Sequence, residues 1–310
     1  MNDYVLVSKL GEGNYIVFSS IIHPNVGKEG EVYCAQHIPT NTLRAIKIPN
    51  KRITLRSNQS RLKALTKEAD FLINLEHPNI LKGYELLKIG EDSTPYLVTE
   101  ICTGGSLARK MKEEAFTAQE GLIKIVAKQI LSALEYLSSK MIAHKDIKPN
   151  NILLASPNAL DSLKLIDFGM SEQRKEGETL AATSGTPYYM APEVYFGSFT
   201  EKCDVWSCGV LLYLLVTGEK PFNATSKTEL KQMILYSEPN FDHPNFSKVS
   251  ANCKDLIQRM LRKGERARPS AKEALRDLWF REDSILAETT ASSKGSGDLK
   301  THGESPTLKI

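Results

Sequence analysis

The sequence predicts an α+β protein with a small sheet-rich part, a short hinge and a larger helical part. In the first hundred residues, apolar positions fall in short, partly alternating runs bounded by turn residues. After Thr103-Gly104-Gly105 they recur at helical spacing instead. The helical part also holds two polar loops, HKDIKPNN (144–151) and DFG (167–169), joined by a short hairpin.

The first part reads as strands over Tyr4–Lys9, Glu31–Gln36, Leu43–Pro49, Tyr84–Ile89 and Tyr96–Glu100. One helix, roughly Ser60–Leu75, interrupts them, with Leu62, Leu65, Ala69, Leu72 and Ile73 near helical spacing. In the second part, Leu122–Leu137 puts Ile123, Val126, Ala127, Ile130 and Leu134 on one stripe. Asp204–Thr217 is apolar nearly all round, as a buried helix should be. Further helices are predicted around Lys227–Leu235, Asn252–Arg262 and Ala271–Leu278. From about Arg281 the chain is Ser, Thr, Gly, Lys and Glu with almost no aromatics, so 281–310 is expected to be a disordered tail.

Composition narrows the classes. A net charge of +3 on 310 residues gives no argument for nucleic acid or a membrane surface. The longest apolar run, Val210–Val216, is too short to cross a bilayer. Cysteines 34, 102, 203, 208 and 253 form no CxxC pair and read as reduced, packed thiols. No DxDxDG calcium loop occurs. The expectation is a monomeric cytoplasmic or nuclear protein without a calcium-binding module.

The two polar loops carry the chemistry. They hold a proton acceptor (Asp146), a cation (Lys148) and two oxygen-bearing metal-ligand types (Asn151, Asp167). Phosphoryl transfer needs that set: a positioned nucleophile and neutralised phosphate charge, with little covalent work from the protein. Together the loops resemble the catalytic and metal loops of protein kinases, with Lys145 where that family usually has Arg. The resemblance covers about residues 4–280 and implies the bilobal kinase fold, with an N-lobe near 4–101 and a C-lobe near 104–280. It implies ATP and Mg²⁺ as cofactors and proteins as substrates. Asp146 would accept or orient the hydroxyl proton, Lys148 would steady the γ-phosphate, and Asn151 and Asp167 would hold Mg²⁺. His144 reads as a packed structural histidine.

On the nucleotide side, Ala45-Ile46-Lys47 matches the family's AxK. Lys47 would pair the phosphates and Glu68, which precedes a family-like His77-Pro78-Asn79-Ile80 turn. Thr99 would stand at the back of the adenine pocket, and Glu100 and Cys102 would meet adenine with their backbone. Val32, Ala45 and Leu153 would line that pocket. Two frames remain for the glycine loop. In the favoured one, Gly11, Gly13 and Gly30 are its glycines and Ile16–Glu29 is inserted at the tip, either as a true insertion or as an artefact of gene prediction. In the other, the loop is Asn25–Gly30 and Met1–His23 is an extension.

On the substrate side, Gly185–Glu193 resembles the segment ending in APE. Thr186 and Met190 would face substrate, and Glu193 would ion-pair Arg268. Asp204, opening the central buried helix, would hold the catalytic-loop backbone. The wording of Glu201–Phe222 is most similar to the calcium/calmodulin-dependent and calcium-dependent kinase group. Asn150, Ser106 and Leu214 stand where Arg-directed kinases carry acids, so strong Arg selectivity is not expected. Lys145 lacks the guanidinium fork that grips a loop phosphate. Ala182 stands where the activating threonine would be, with Thr179, Thr183 and Ser184 as other phosphosites, so basal activity is expected without loop phosphorylation, helped by Glu176 or Glu178. The implied activity is that of a Ser/Thr protein kinase; the alternative is a nucleotide-binding pseudokinase or scaffold.

Overall fold

The computed structural model describes residues 3–12, 31–48, 55–89, 94–113, 117–157, 159–181 and 184–281. Strands β1 (Tyr4–Glu12), β2 (Glu31–His37), β3 (Thr42–Ile48), β4 (Gly83–Ile89) and β5 (Thr94–Thr99) form one sheet in the order β1-β2-β3-β5-β4. All its pairings are antiparallel. Helix α1 (Leu55–Asn74) packs on this sheet and buries Leu65, Ala69 and Leu72 of the predicted stripe, with Leu62 and Ile73 half-buried. Gly83 lets β4 pass close to α1, since a Cβ there would stand 2.8 Å from the Leu72 carbonyl carbon. The helix starts earlier than Ser60, and its first turn carries no apolar stripe to announce it.

The rest is mainly helical: α2 (Leu107–Glu113), α3 (Glu120–Ser139), α4 (Lys202–Thr217), α5 (Lys227–Tyr236), α6 (Ala251–Met260) and α7 (Ala271–Leu275). This is the bilobal arrangement expected from the sequence. Helix α3 buries Ile123, Val126, Ala127, Ile130 and Leu134 along one face. Helix α4 is buried almost throughout, so its side chains need no polar face. The Glu120 carboxylate accepts from Ser250 N–H and Trp279 Nε1–H, both at 2.7 Å, and ties α3 to the last helices. The predicted helix Ala271–Leu278 is shorter than expected. It stops at Leu275 because Asp277 accepts the Trp279 amide (2.9 Å) and starts a separate turn.

Short strands carry the polar loops: β6 (Ile142–Ala143), β7 (Ile152–Leu154), β8 (Leu163–Leu165) and β9 (Glu172–Gln173). The β7–β8 hairpin and the β6–β9 pair bring 144–151 and 167–171 side by side. A continuous apolar core joins the two parts, with Val32 and Ala45 from the sheet and Leu153 from β7 in the same cluster. Among the described residues no helix is long and apolar enough to cross a membrane. All five cysteines are buried and unpaired as thiols.

Candidate active site

The loop 144–151 is held by its own backbone amides and by a carboxylate from α4. After β6 the chain turns, and Lys145 takes a left-handed conformation (φ 70°). The His144 and Lys145 amides point at one carboxylate: Asp204, in the first turn of α4, accepts them at 2.6 and 2.8 Å. Burial raises the Asp204 pKa against the opposing effect of these bonds. His144 is buried and accepts the Asp146 amide at Nδ1 (3.2 Å). Its proton therefore lies on Nε2, which donates to the Ile166 carbonyl at 2.9 Å. The ring also meets Phe168 edge-on at 4.7 Å. His144 is thus a packed strut between the two loops, with both nitrogens engaged.

Asp146 is buried and its oxygens are divided between partners. Oδ1 accepts from the Thr186 hydroxyl at 2.6 Å. Oδ2 accepts from Lys148 Nζ at 2.6 Å and from Asn151 Nδ2 at 2.8 Å. Burial pushes its pKa up, but the bonds from Lys148 and Thr186 and the Lys148 charge outweigh it and hold the carboxyl below its ordinary value. Lys148 also donates to Thr186 Oγ1 at 2.9 Å. Asn151 spends its amide nitrogen on Asp146, which leaves its amide oxygen as the group able to ligate a cation.

The hairpin sets Asp167 beside this cluster, since the Ile166 amide donates to the Asn151 carbonyl at 3.0 Å. Asp167 is half-buried and left-handed (φ 65°), and Oδ1 accepts the Gly169 amide at 3.4 Å. Such a conformation in a non-glycine residue is strained and must be held by its surroundings. Among the described residues no three His, Cys, Asp or Glu side chains gather as a metal cage. Two oxygen donors fit an ion whose other ligands are waters and substrate phosphates, the coordination habit of Mg²⁺.

On the sheet side, Lys47 Nζ meets Glu68 Oε2 at 2.8 Å, joining β3 to α1. Ala45 pairs with Thr99 across β3 and β5. Val32, Ala45, Cys102 and Leu153 are all buried in one apolar cluster. The Thr103 and Gly104 amides are bonded to Ala155 and Leu154. The Cys102 amide has no hydrogen-bond partner among the described residues. The Glu100 carbonyl accepts from Thr99 Oγ1 at 3.0 Å. Gly11 pairs with Val32 in the β1–β2 ladder; Gly13 and Gly30 lie outside the described residues.

The segment after DFG is tied down by contacts the sequence did not single out. Lys145 Nζ pairs with Glu172 at 3.0 Å. Arg174 grips Glu201 through Nε and an Nη at 2.8 and 3.0 Å, and Glu201 is held below its ordinary pKa by that fork although burial opposes it. Gly185 (φ 133°) packs on the Lys145 carbonyl, 2.7 Å from where a Cβ would be. Ala182 and Thr183 lie outside the described residues. Arg268, fully buried, holds Glu193 with both Nη atoms, and Ser207 Oγ donates to the Tyr189 carbonyl at 2.7 Å. Met190 is buried beside that turn. Ser106 serves as a cap, its Oγ accepting the Arg109 amide at 3.2 Å, and Leu214 is half-buried on α4. Nothing in local spacing could have signalled Glu172, Arg174 or Glu201, because isolated loop charges carry no periodicity.

The site thus combines a Lys47–Glu68 ion pair on the sheet side with the shared Asp146 carboxylate in the helical part. The protein kinase domain family matches residues 26–280, and the chain belongs to the protein kinase family. It is 34% identical over 284 residues to calcium-dependent protein kinase 4 of Plasmodium falciparum, covering 88% of this chain and 53% of that protein. It is 37% identical over 268 residues to calcium-dependent protein kinase 6 of Plasmodium berghei, covering 86% and 17%. A probable myosin light chain kinase of Dictyostelium discoideum is 35% identical over 242 residues, covering 78% and 67%. The chain spans about half the length, or less, of the calcium-dependent relatives named here. Family membership implies ATP binding. The family match begins at residue 26, as the second glycine-loop frame would have it, whereas β1 fills the sheet edge beside β2, as the first frame requires.

Proposed function

We propose that this chain is a protein serine/threonine kinase that transfers the ATP γ-phosphate to hydroxyls of protein substrates, with Mg²⁺. The observation that carries the reading is the Thr186 hydroxyl donating to Asp146 Oδ1 at 2.6 Å. It supports a carboxylate already arranged to receive an aliphatic hydroxyl, the group a Ser or Thr substrate presents. Held ionised by Lys148 and Thr186, Asp146 is a weak base whose main work is orientation. That suffices where the transition state is loose and proton transfer late.

Lys47, kept in place by Glu68, would meet the α and β phosphates, and Lys148 would meet the transferred group. Asn151 and Asp167 would hold Mg²⁺, which supplies charge neutralisation at the phosphates when bound. Gly11 and the first glycine-loop frame are favoured by the pairing of β1 with β2. The same groups argue against the scaffold alternative, since each catalytic part is present.

The test is phosphotransfer by the full chain with Mg·ATP and generic Ser, Thr and Tyr peptides. Transfer to Ser and Thr is expected. Asp146→Asn is expected to lose about 10²-fold or more in kcat while keeping ATP affinity and thermal stability. ATP binding without any transfer would establish the scaffold reading instead.

A further inference from the structure

A pocket of about 440 Å³ opens directly beside the catalytic carboxylate. Lys148, Asn150, Thr186, Tyr188, Tyr189 and Lys220 line it, and none of its lining residues is an acid. Lys148 is committed to Asp146 and Thr186. Lys220 is not committed in this way: its Nζ sits 3.8 Å from the centre of the Tyr188 ring, and it forms no ion pair among the described residues. The aromatic face holds the ammonium in place without neutralising it. Glu219, next in the chain, is exposed and does not line the pocket. A second cation, Lys231, lies 5.4 Å over Tyr195, whose hydroxyl donates to the Pro187 carbonyl of the same turn.

We propose that Lys220, steadied on Tyr188, selects substrates carrying an anionic side chain, a carboxylate or a phosphate, next to the target hydroxyl. The inference rests on the kinase reading above and names its substrate class. The pocket shares Lys148 and Thr186 with the catalytic cluster. An extended peptide advances only about 3.3 Å per residue, so the side chain that fills the pocket belongs to a residue within about two positions of the acceptor. A cationic side chain there would face two ammonium groups with no acid in the lining, while an anion would gain a charge-assisted bond.

The experiment uses the full chain and a peptide set with one acceptor Ser. Asp, phosphoserine, Gln or Lys is placed at each of the two positions on either side. For the wild type, kcat/KM at one of these positions should be about tenfold higher for Asp or phosphoserine than for Gln, and lowest for Lys. Lys220→Glu should reverse that order at the same position, judged against the variant's own Gln peptide, and Lys220→Arg should preserve it. The preference should shrink as salt is raised. Phosphoserine well ahead of Asp identifies phosphate as the ligand, and equal values identify the carboxylate. An active wild type without acidic preference, or a preference unchanged in Lys220→Glu, overturns the inference and leaves the kinase reading standing. Absence of transfer to every peptide overturns both.

Discussion

Two buried ion pairs sit in the two lobes, and they differ in how they are bonded. Arg268 meets Glu193 through both Nη atoms, donates to the Arg262 and Lys202 carbonyls, and stacks near Trp206 at 5.2 Å. Its charge is shared by a rigid fork and three structural segments. Lys47 Nζ meets Glu68 Oε2 at 2.8 Å between a strand and a helix. An ammonium on a flexible stem can make and break such a contact without dismantling a core. The first pair is therefore a lock on the C-lobe fold, and the second is the contact that, on the proposed function, would position a lysine for phosphate.

The comparison breaks most visibly if Arg268 is removed. Arg268→Met leaves Glu193 buried without its partner and should cost about 3–5 kcal/mol of stability, read from denaturant unfolding. Lys47→Met should leave the unfolding midpoint closer to wild type but lower kcat/KM by about 10²-fold. Equal destabilisation by the two substitutions would erase the distinction. Glu68→Gln acts on the same contact, so the double variant should fall well short of the product of the single losses.

A third pair sharpens the comparison. Lys145 and Glu172 are only partly shielded, with side-chain exposures of 2% and 28%. This internal carboxylate occupies the lysine that a loop phosphate would otherwise seek. Phosphatase treatment should leave most activity intact, while Glu172→Gln should reduce it about fivefold, equivalent to ~1 kcal/mol. Loss of nearly all activity on phosphatase treatment would show that a phosphate, and not Glu172, orders the segment. The smallest effect is expected at the tip of the β1–β2 connection. Deleting residues 16–29 joins Tyr15 to Gly30 and restores GEGNYGEVY. Lengthening a loop costs little closure entropy, so stability should be unchanged, and the KM for ATP should fall or kcat rise. An unfolded deletion variant would instead place the glycine loop at Asn25–Gly30.

The sequence by itself determined the α+β order of elements, the burial of α4 and the family. The first two are written in short-range spacing, with partial alternation in β2, a stripe in α3 and an unbroken apolar run in α4, whereas the family is what the resemblance of the HKDIKPNN, DFG, AIK and APE motifs implies. It also singled out Asp146, Lys148 and Asn151 as one cluster, because a single loop keeps them within reach of each other. It did not see the division of the predicted Ala271–Leu278 helix, which depends on one carboxylate turning back to cap the Trp279 amide. Only the tertiary structure decided that Lys145 is met by Glu172, that Arg174 grips Glu201, and that Lys220 lies over Tyr188. Each partner comes from another loop or helix, and a lone charge has no period to betray its neighbour. Long-range electrostatic pairing is set by where the backbone brings charges together, and that is known only once the lobes are built.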